Sequence, residues 1–165
     1  MNNTNVIIAI DPDVKRSGVA YLSVATRKLE CCSLTFPNLL DYLKHVKKTS
    51  EETKQSVVVV VEAGWLLQSN WHLRNADNRR IAAAKGNSAG RNHETGKKIV
   101  EMARHYGLEV VEQRPLKKCW KGKDLKITHE ELASFTGIMG RTSQDMRDAA
   151  LICWHYAGLP IKIKA

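Results

Sequence analysis

Four acidic residues stand where secondary structure would hold them rigidly, and their types point to one kind of chemistry. Asp11 closes the apolar run Val6–Ile10 in "VIIAIDPDVKRSG", Glu62 follows five consecutive valines in "SVVVVVEAG", and Asp145 and Asp148 sit together in "QDMRDAA". An i,i+3 spacing puts the last two on one helical face. Neighbouring strands lie about 4.8 Å apart, so acids at the ends of two of them would crowd together. Like charges at that range repel and drive pKa values up unless a cation sits among them. A divalent ion resolves the conflict. Oxygen-only ligands suit Mg²⁺ or Mn²⁺, and two such ions roughly 3.5–4 Å apart can activate water and stabilise the leaving oxygen in phosphodiester cleavage. Each acid also has a plainer explanation. Asp-Pro commonly opens a turn, and the macrodipole favours Asp145 and Asp148 near a helix start. Glu62 is harder to explain this way, because a carboxylate after five valines is poorly solvated unless the strand end opens on a site.

The elements that must position these acids can be read from the hydrophobic pattern. Val6–Ile10, "SGVAYLSVAT" and "KLECCSLTF" have the length and punctuation of three strands in an antiparallel meander. "NLLDYLKHVKK" (Asn38 to Lys48) places Leu39, Leu40, Leu43 and Val46 on one helical face. The valine run reads as a strand buried on both faces. From "LRNADNRRIAAAKGNSAG" the pattern is helical but interrupted by glycines, until "HETGKKIVEMARHYG" supplies Ile99, Val100, Met102, Ala103 and Tyr106. "LEVVEQRP" is a short strand stopped by Pro115. Thr128 and Glu131 form a capping box for "THEELASFTG", and Ser143 is placed to cap the last helix. The order predicts an α/β domain in which three antiparallel strands continue into parallel ones through helical crossovers.

Composition bounds the remaining possibilities. The 165 residues suit one domain spanning 1–165, burying roughly 70% of the surface its unfolded chain exposes. Cys31, Cys32, Cys119 and Cys153 are too few for a disulfide scaffold and lack zinc-type spacing, so they are expected to be reduced thiols in a cytoplasmic protein. The start "MNNTNVIIAID" has no basic region before an apolar core, and no run approaches the roughly 20 residues of a membrane span. A net charge of +9, from 26 Lys+Arg against 17 Asp+Glu, fits a polyanionic partner such as nucleic acid. A solubilising surface would give the same count.

With "IAIDP" ending the first strand, "VVVVVEAG" the fourth and "DMRDAA" opening the last helix, nearly the whole chain resembles the RuvC-type Holliday junction resolvases of the ribonuclease H-like superfamily. The resemblance implies a ribonuclease H-like fold with a five-stranded mixed sheet flanked by helices. It implies Asp11, Glu62, Asp145 and Asp148 as catalytic ligands of two Mg²⁺ ions per site, with Mn²⁺ as a substitute. It further implies a homodimer that hydrolyses phosphodiesters of branched DNA, most often four-way junctions, without a covalent enzyme intermediate. The family commonly has glycine after Asp-Pro, where this chain has Asp13. Asp13 is therefore either an outer carboxylate of the site or a solvated turn residue, and turn chemistry favours the latter. An aromatic residue shortly after the strand-four glutamate enters the junction centre in that family. Trp65 holds that place here, with core packing as the alternative and Trp71 as a second tryptophan able to do either job.

"RPLKKCWKGKDLK" gathers six cations around one acid and Trp120. Lys117, Lys118, Lys121 and Lys123 are candidates for phosphate contacts, and Trp120 for stacking on a base or sugar; a solvated loop is the alternative. The resolvases place catalytic or phosphate-binding lysines here, which makes Lys117 and Lys118 the candidates, undivided. Arg91, Lys97 and Lys98 would extend that surface or merely solvate a helix, and Lys15–Arg16 would solvate a turn or touch a phosphate. His129 and His155 lack a second histidine at ligand spacing. The acids alone do not choose the substrate, so a nuclease acting on RNA–DNA hybrids or other branched DNA, and an inactive nucleic-acid-binding module, stand beside junction resolution.

Overall fold

The computed structural model describes residues 3–67 and 78–162, so Trp71 lies outside the described residues. Among the described residues five strands form one sheet: β1 (Val6–Asp11), β2 (Ser17–Ser23), β3 (Lys28–Leu34), β4 (Val57–Glu62) and β5 (Glu109–Gln113), in the order β3-β2-β1-β4-β5. The β1–β2 and β2–β3 pairs are antiparallel, and β1–β4 and β4–β5 are parallel. This is the mixed sheet, three antiparallel strands continuing into parallel ones, that the strand pattern predicts. Among the described residues four α-helices connect or flank it: α1 (Phe36–Thr53), α2 (Arg79–His105), α3 (His129–Thr136) and α4 (Gln144–Tyr156).

The two central strands are buried on both faces, and their side chains alternate between two cores. Val6, Ile8, Ile10, Val19, Val59 and Val61 meet α1 and α2 through Leu39, Leu43, Ile99 and Ala103. Ile7, Ala9, Ala20, Leu22, Val58 and Val60 meet Trp120, Leu132 and the α4 run from Ala149 to Trp154. Asp11 continues the parity of Ile7 and Ala9, and Glu62 that of Val58 and Val60. Both acids therefore belong to the face that α4 covers. Each stands one residue beyond the paired Ile10 and Val61.

Two elements differ from expectation. Helix α1 runs past Lys48 to Thr53, carried by the Lys47–Glu51 ion pair at 3.3 Å and the Thr53 hydroxyl bonded to the Thr49 carbonyl, and stops at Lys54 in the left-handed region (φ 56°). Helix α2 is continuous over 27 residues rather than broken at its glycines. Gly86 and Gly90 face open space, so they weaken the helix by propensity without a clash that would end it. Asn78 caps its start by accepting from the Ile81 N–H at 2.9 Å. The Thr128–Glu131 capping box forms as read, and Gly137 (φ 71°) ends α3. Ser143 occupies the cap position of α4, but its hydroxyl donates to the Asp145 carboxylate instead of capping a backbone N–H.

Gly18 sets the approach of α4 to the sheet. It pairs with Asp11 across β1–β2, and a Cβ built on it would lie 1.9 Å from the Asp145 carbonyl oxygen, a backbone atom. Gly18→Ala should therefore cost on the order of 2 kcal/mol of stability through overpacking. Gly86→Ala, adding the same methyl to open helix surface, should gain roughly 0.5–1 kcal/mol. Urea unfolding midpoints of the two variants check this; a Gly18→Ala protein as stable as the parent would contradict the seating of α4 on β2.

Candidate metal centre

Asp11, Glu62, Asp145 and Asp148 line one cleft of about 400 Å³, together with Pro12, Trp65, Lys117, Lys118 and Lys126 among others. The acids come from the ends of two parallel neighbours and from the first turns of α4, so the sheet and the Gly18 contact bring them together. All four are half-buried.

Their charges strain one another. Burial first, then Glu62 and Asp148, drive the Asp11 carboxyl well above its usual range, with Lys126 opposing and Asp145 adding to the rise. Burial and Asp148 push Glu62 from 4.5 to about 7, against the pull of Lys126 and Lys118. The Lys118 ammonium is itself lowered, by burial and then by Lys126, with Asp148 and Glu62 pulling it back. Lys126 is thus the cation in the midst of the acids, its Nζ 3.4 Å from Asp148 Oδ2.

Protein partners hold the two α4 acids. Asp145 accepts from the Ser33 hydroxyl at 2.8 Å and from Ser143. Ser33 is tied in turn through its carbonyl to the Arg16 guanidinium at 2.7 Å. Asp148 accepts from Gln144 Nε2 at 2.8 Å, and Arg147 steadies Gln144 at 3.0 Å while bonding the Ile127 carbonyl at 3.1 Å. In this arrangement no three acidic, histidine or cysteine side chains among the described residues stand together as a ready ligand set for a metal ion. The donors nevertheless fit a hard divalent ion in kind. They are carboxylates only, two are driven toward protonation by burial and then by their neighbours, and Lys126 and Lys118 oppose that rise from beside them.

Other candidates sort by geometry. Lys117 lies exposed at the rim and Lys118 half-buried inside, both lining the cleft, whereas Lys121 and Lys123 are exposed on the loop beyond it. Trp120 also lines the cleft, with little of its face left open. Its side chain is only 7% exposed and packs 6.1 Å from the Phe135 ring, because the loop folds back over the α3–α4 core. Trp65 borders the cleft but is packed rather than projected. Its N–H donates to Glu112 at 2.9 Å, and a Cβ on Gly96 would come within 2.5 Å of its ring.

Asp13 behaves as a turn residue, with Oδ1 accepting the Lys15 N–H at 2.8 Å and the Arg16 N–H at 3.3 Å. Asn92 on α2 fastens the same turn by accepting from the Val14 N–H at 3.1 Å. Lys97 and Lys98 pair with Glu94 and Glu101 on the helix surface, and Arg91 is exposed there too. His129 bonds Thr142 at 2.9 Å and His155 is exposed. Sequence reasoning passed over Lys126, Gln144, Ser33 and Gly18. Lys126 was one of six loop cations with nothing local to single it out, and the others act through contacts remote in sequence.

No family model matches the chain, and no curated protein matches it. Among solved structures it is similar to a Thermus thermophilus RuvC in complex with Holliday junction substrate, with a TM-score of 0.45 and 16% identity over 93% of this chain and 96% of that one. A second Thermus thermophilus RuvC structure gives a TM-score of 0.43 at the same identity and coverage.

The raised Glu62 value has a direct consequence for stability without metal. Between about pH 4.5 and 7 the unfolded chain releases this proton before the folded one does, so stability is fully retained below that window and falls as pH rises through it. In chelator, Glu62→Gln should gain on the parent by on the order of 2 kcal/mol between pH 5 and pH 8. Denaturant titrations at the two pH values measure it; an equal difference at both would contradict the crowding of Glu62 with its neighbours.

Proposed function

We propose that the chain is a divalent-metal-dependent endonuclease of the RuvC type, acting as one domain over residues 1–165 and as a homodimer on branched DNA, four-way junctions first. One observation carries the reading: Asp11, Glu62, Asp145 and Asp148, from three separate elements, line a single cleft in which like charge is left unbalanced and lysines form the wall. The alternation along β1 and β4 and the seat of α4 on Gly18 lead to that placement, and the net charge of +9 fits a polyanionic substrate.

Asp11, Glu62, Asp145 and Asp148 would hold the ions. Mg²⁺ or Mn²⁺ bound there supplies positive charge to the phosphate and lowers the pKa of water for attack on phosphorus. The chain's own residues position the substrate. Lys117 at the rim and Lys118 within supply cations to phosphates flanking the scissile one. Gln144 and Arg147 keep Asp148 turned toward the cleft, and Ser33 keeps Asp145 in place. Pro12 and the packed Trp65 add apolar surface to the same cleft.

Asp11→Asn and Asp145→Asn should each bind a four-way junction within a few-fold of the parent while Mg²⁺-dependent cleavage falls by at least about 100-fold. Gel-shift and cleavage assays on one junction preparation, with chelator and Mn²⁺ re-addition as controls, read both quantities. Undiminished cleavage by both variants would sink the assignment. Faster cutting of an RNA–DNA hybrid than of the junction would move the substrate to hybrids, and binding without cleavage by the parent would leave a binding module.

A further inference from the structure

We propose that Glu131 on α3 is a positioning residue for the cleft: it holds the hairpin of residues 120–126 so that Lys126 is aimed at the carboxylates, a claim that rests on the nuclease reading above. Glu131 is a carboxylate with only 8% exposure, and backbone N–H groups meet it. One oxygen accepts the Lys121 N–H at 3.1 Å; the other lies 3.3 Å from the same N–H and accepts the Thr128 N–H at 3.0 Å. The Thr128 bond belongs to the helix cap. The Lys121 bonds do not, since they reach ten residues back into the basic loop.

That loop is bent in a way that requires support. The Trp120 N–H donates to the Leu125 carbonyl and the Gly122 N–H to the Lys126 carbonyl, both at 3.0 Å, closing a tight hairpin. Its tip carries two consecutive non-glycine residues in the left-handed region, Asp124 (φ 55°) and Leu125 (φ 59°). Such residues persist only where their surroundings over-determine them. Leu125 is 59% exposed, so its own packing does not hold the bend. Backbone bonds from the Leu125 N–H to the Gly122 carbonyl and from the Lys126 N–H to the Lys123 carbonyl, both at 3.1 Å, close the tip, and the base adds its hold where Trp120 is buried and Glu131 pins the Lys121 N–H. Gly122 is part of the same device, because a Cβ there would lie 2.4 Å from the Lys126 carbonyl oxygen. Lys126 leaves the hairpin directly after the strained pair and ends 3.4 Å from Asp148. A buried anion on α3 thereby fixes a cation among the acids of β1, β4 and α4.

Glu131→Gln turns one of the two accepting oxygens into a donor facing a backbone N–H, so it cannot hold Lys121 and Thr128 together, whereas Thr128→Ala removes only the hydroxyl that accepts the Glu131 N–H. Thr128→Ala therefore controls for the cap alone. Amide hydrogen exchange at Lys121, Gly122 and Lys126 should quicken by at least about tenfold in Glu131→Gln and stay near the parent in Thr128→Ala. Junction cleavage should fall about tenfold in kcat in Glu131→Gln with junction affinity within twofold, and should hold in Thr128→Ala. Adding Glu131→Gln to Lys126→Ala should cause no further loss, since both act at one point. Equal exchange and cleavage in the two cap variants, or a full second loss in the double variant, would overturn the proposal. If Glu131→Gln does not fold, Gly122→Ala distorts the same hairpin and should give the same exchange and kcat pattern; parent-like behaviour there would overturn it. If the parent cleaves no substrate, the nuclease reading falls by itself, and the exchange comparison alone decides whether Glu131 holds the hairpin.

Discussion

Mutual repulsion among half-buried carboxylates is the constraint around which this molecule is arranged. Asp11 and Glu62 extend from adjacent parallel strands on the face covered by α4, and Asp145 and Asp148 approach from that helix. Removed from bulk water, the group cannot be fully ionised without a cation, and the upward shifts of Asp11 and Glu62 express that tension. Such an arrangement lowers stability near neutral pH. A structure that bears that cost is poised for whatever positive charge enters the cleft.

The framework holds the acids close against this repulsion. Five valines, four of them fully packed, keep β4 in register beside β1 between two cores. Gly18 lets the α4 backbone rest on β2 where a side chain would lift it away. Hydrogen bonds from Ser33 and Gln144 then fix the α4 acids to protein groups, and Lys126 offsets part of the charge. Lysine and metal answer the same electrostatic demand. The hairpin that carries Lys126 therefore belongs to the chemistry of the site as much as the acids do.

Much of this was legible in the sequence because it is written in local patterns. Uninterrupted valines announce a strand buried on both faces, Asp145 and Asp148 announce a shared helical face, and Thr128 with Glu131 announces a cap; all three are realised. What stayed hidden depends on contacts remote in sequence. Helix α2 runs on through Gly86 and Gly90, which face open space, and through Gly96, which seats Trp65, while Trp120 packs into the core because its loop folds back over α3 and α4. Lys126 could not be told from five neighbouring cations until the fold set it against Asp148. Trp65 was open between two uses, and Gly96 makes room for it to pack on α2.

In the reading proposed above, the four carboxylates form a divalent-metal centre whose charge Lys126 offsets only in part when no metal is bound. Anomalous diffraction from crystals soaked in Mn²⁺ tests it most directly. The account predicts manganese peaks within coordination distance of Asp11 and of Glu62 or Asp148, with Lys126 drawn off Asp148. A cleft without manganese at saturating concentration, its Lys126–Asp148 pair intact, would contradict it.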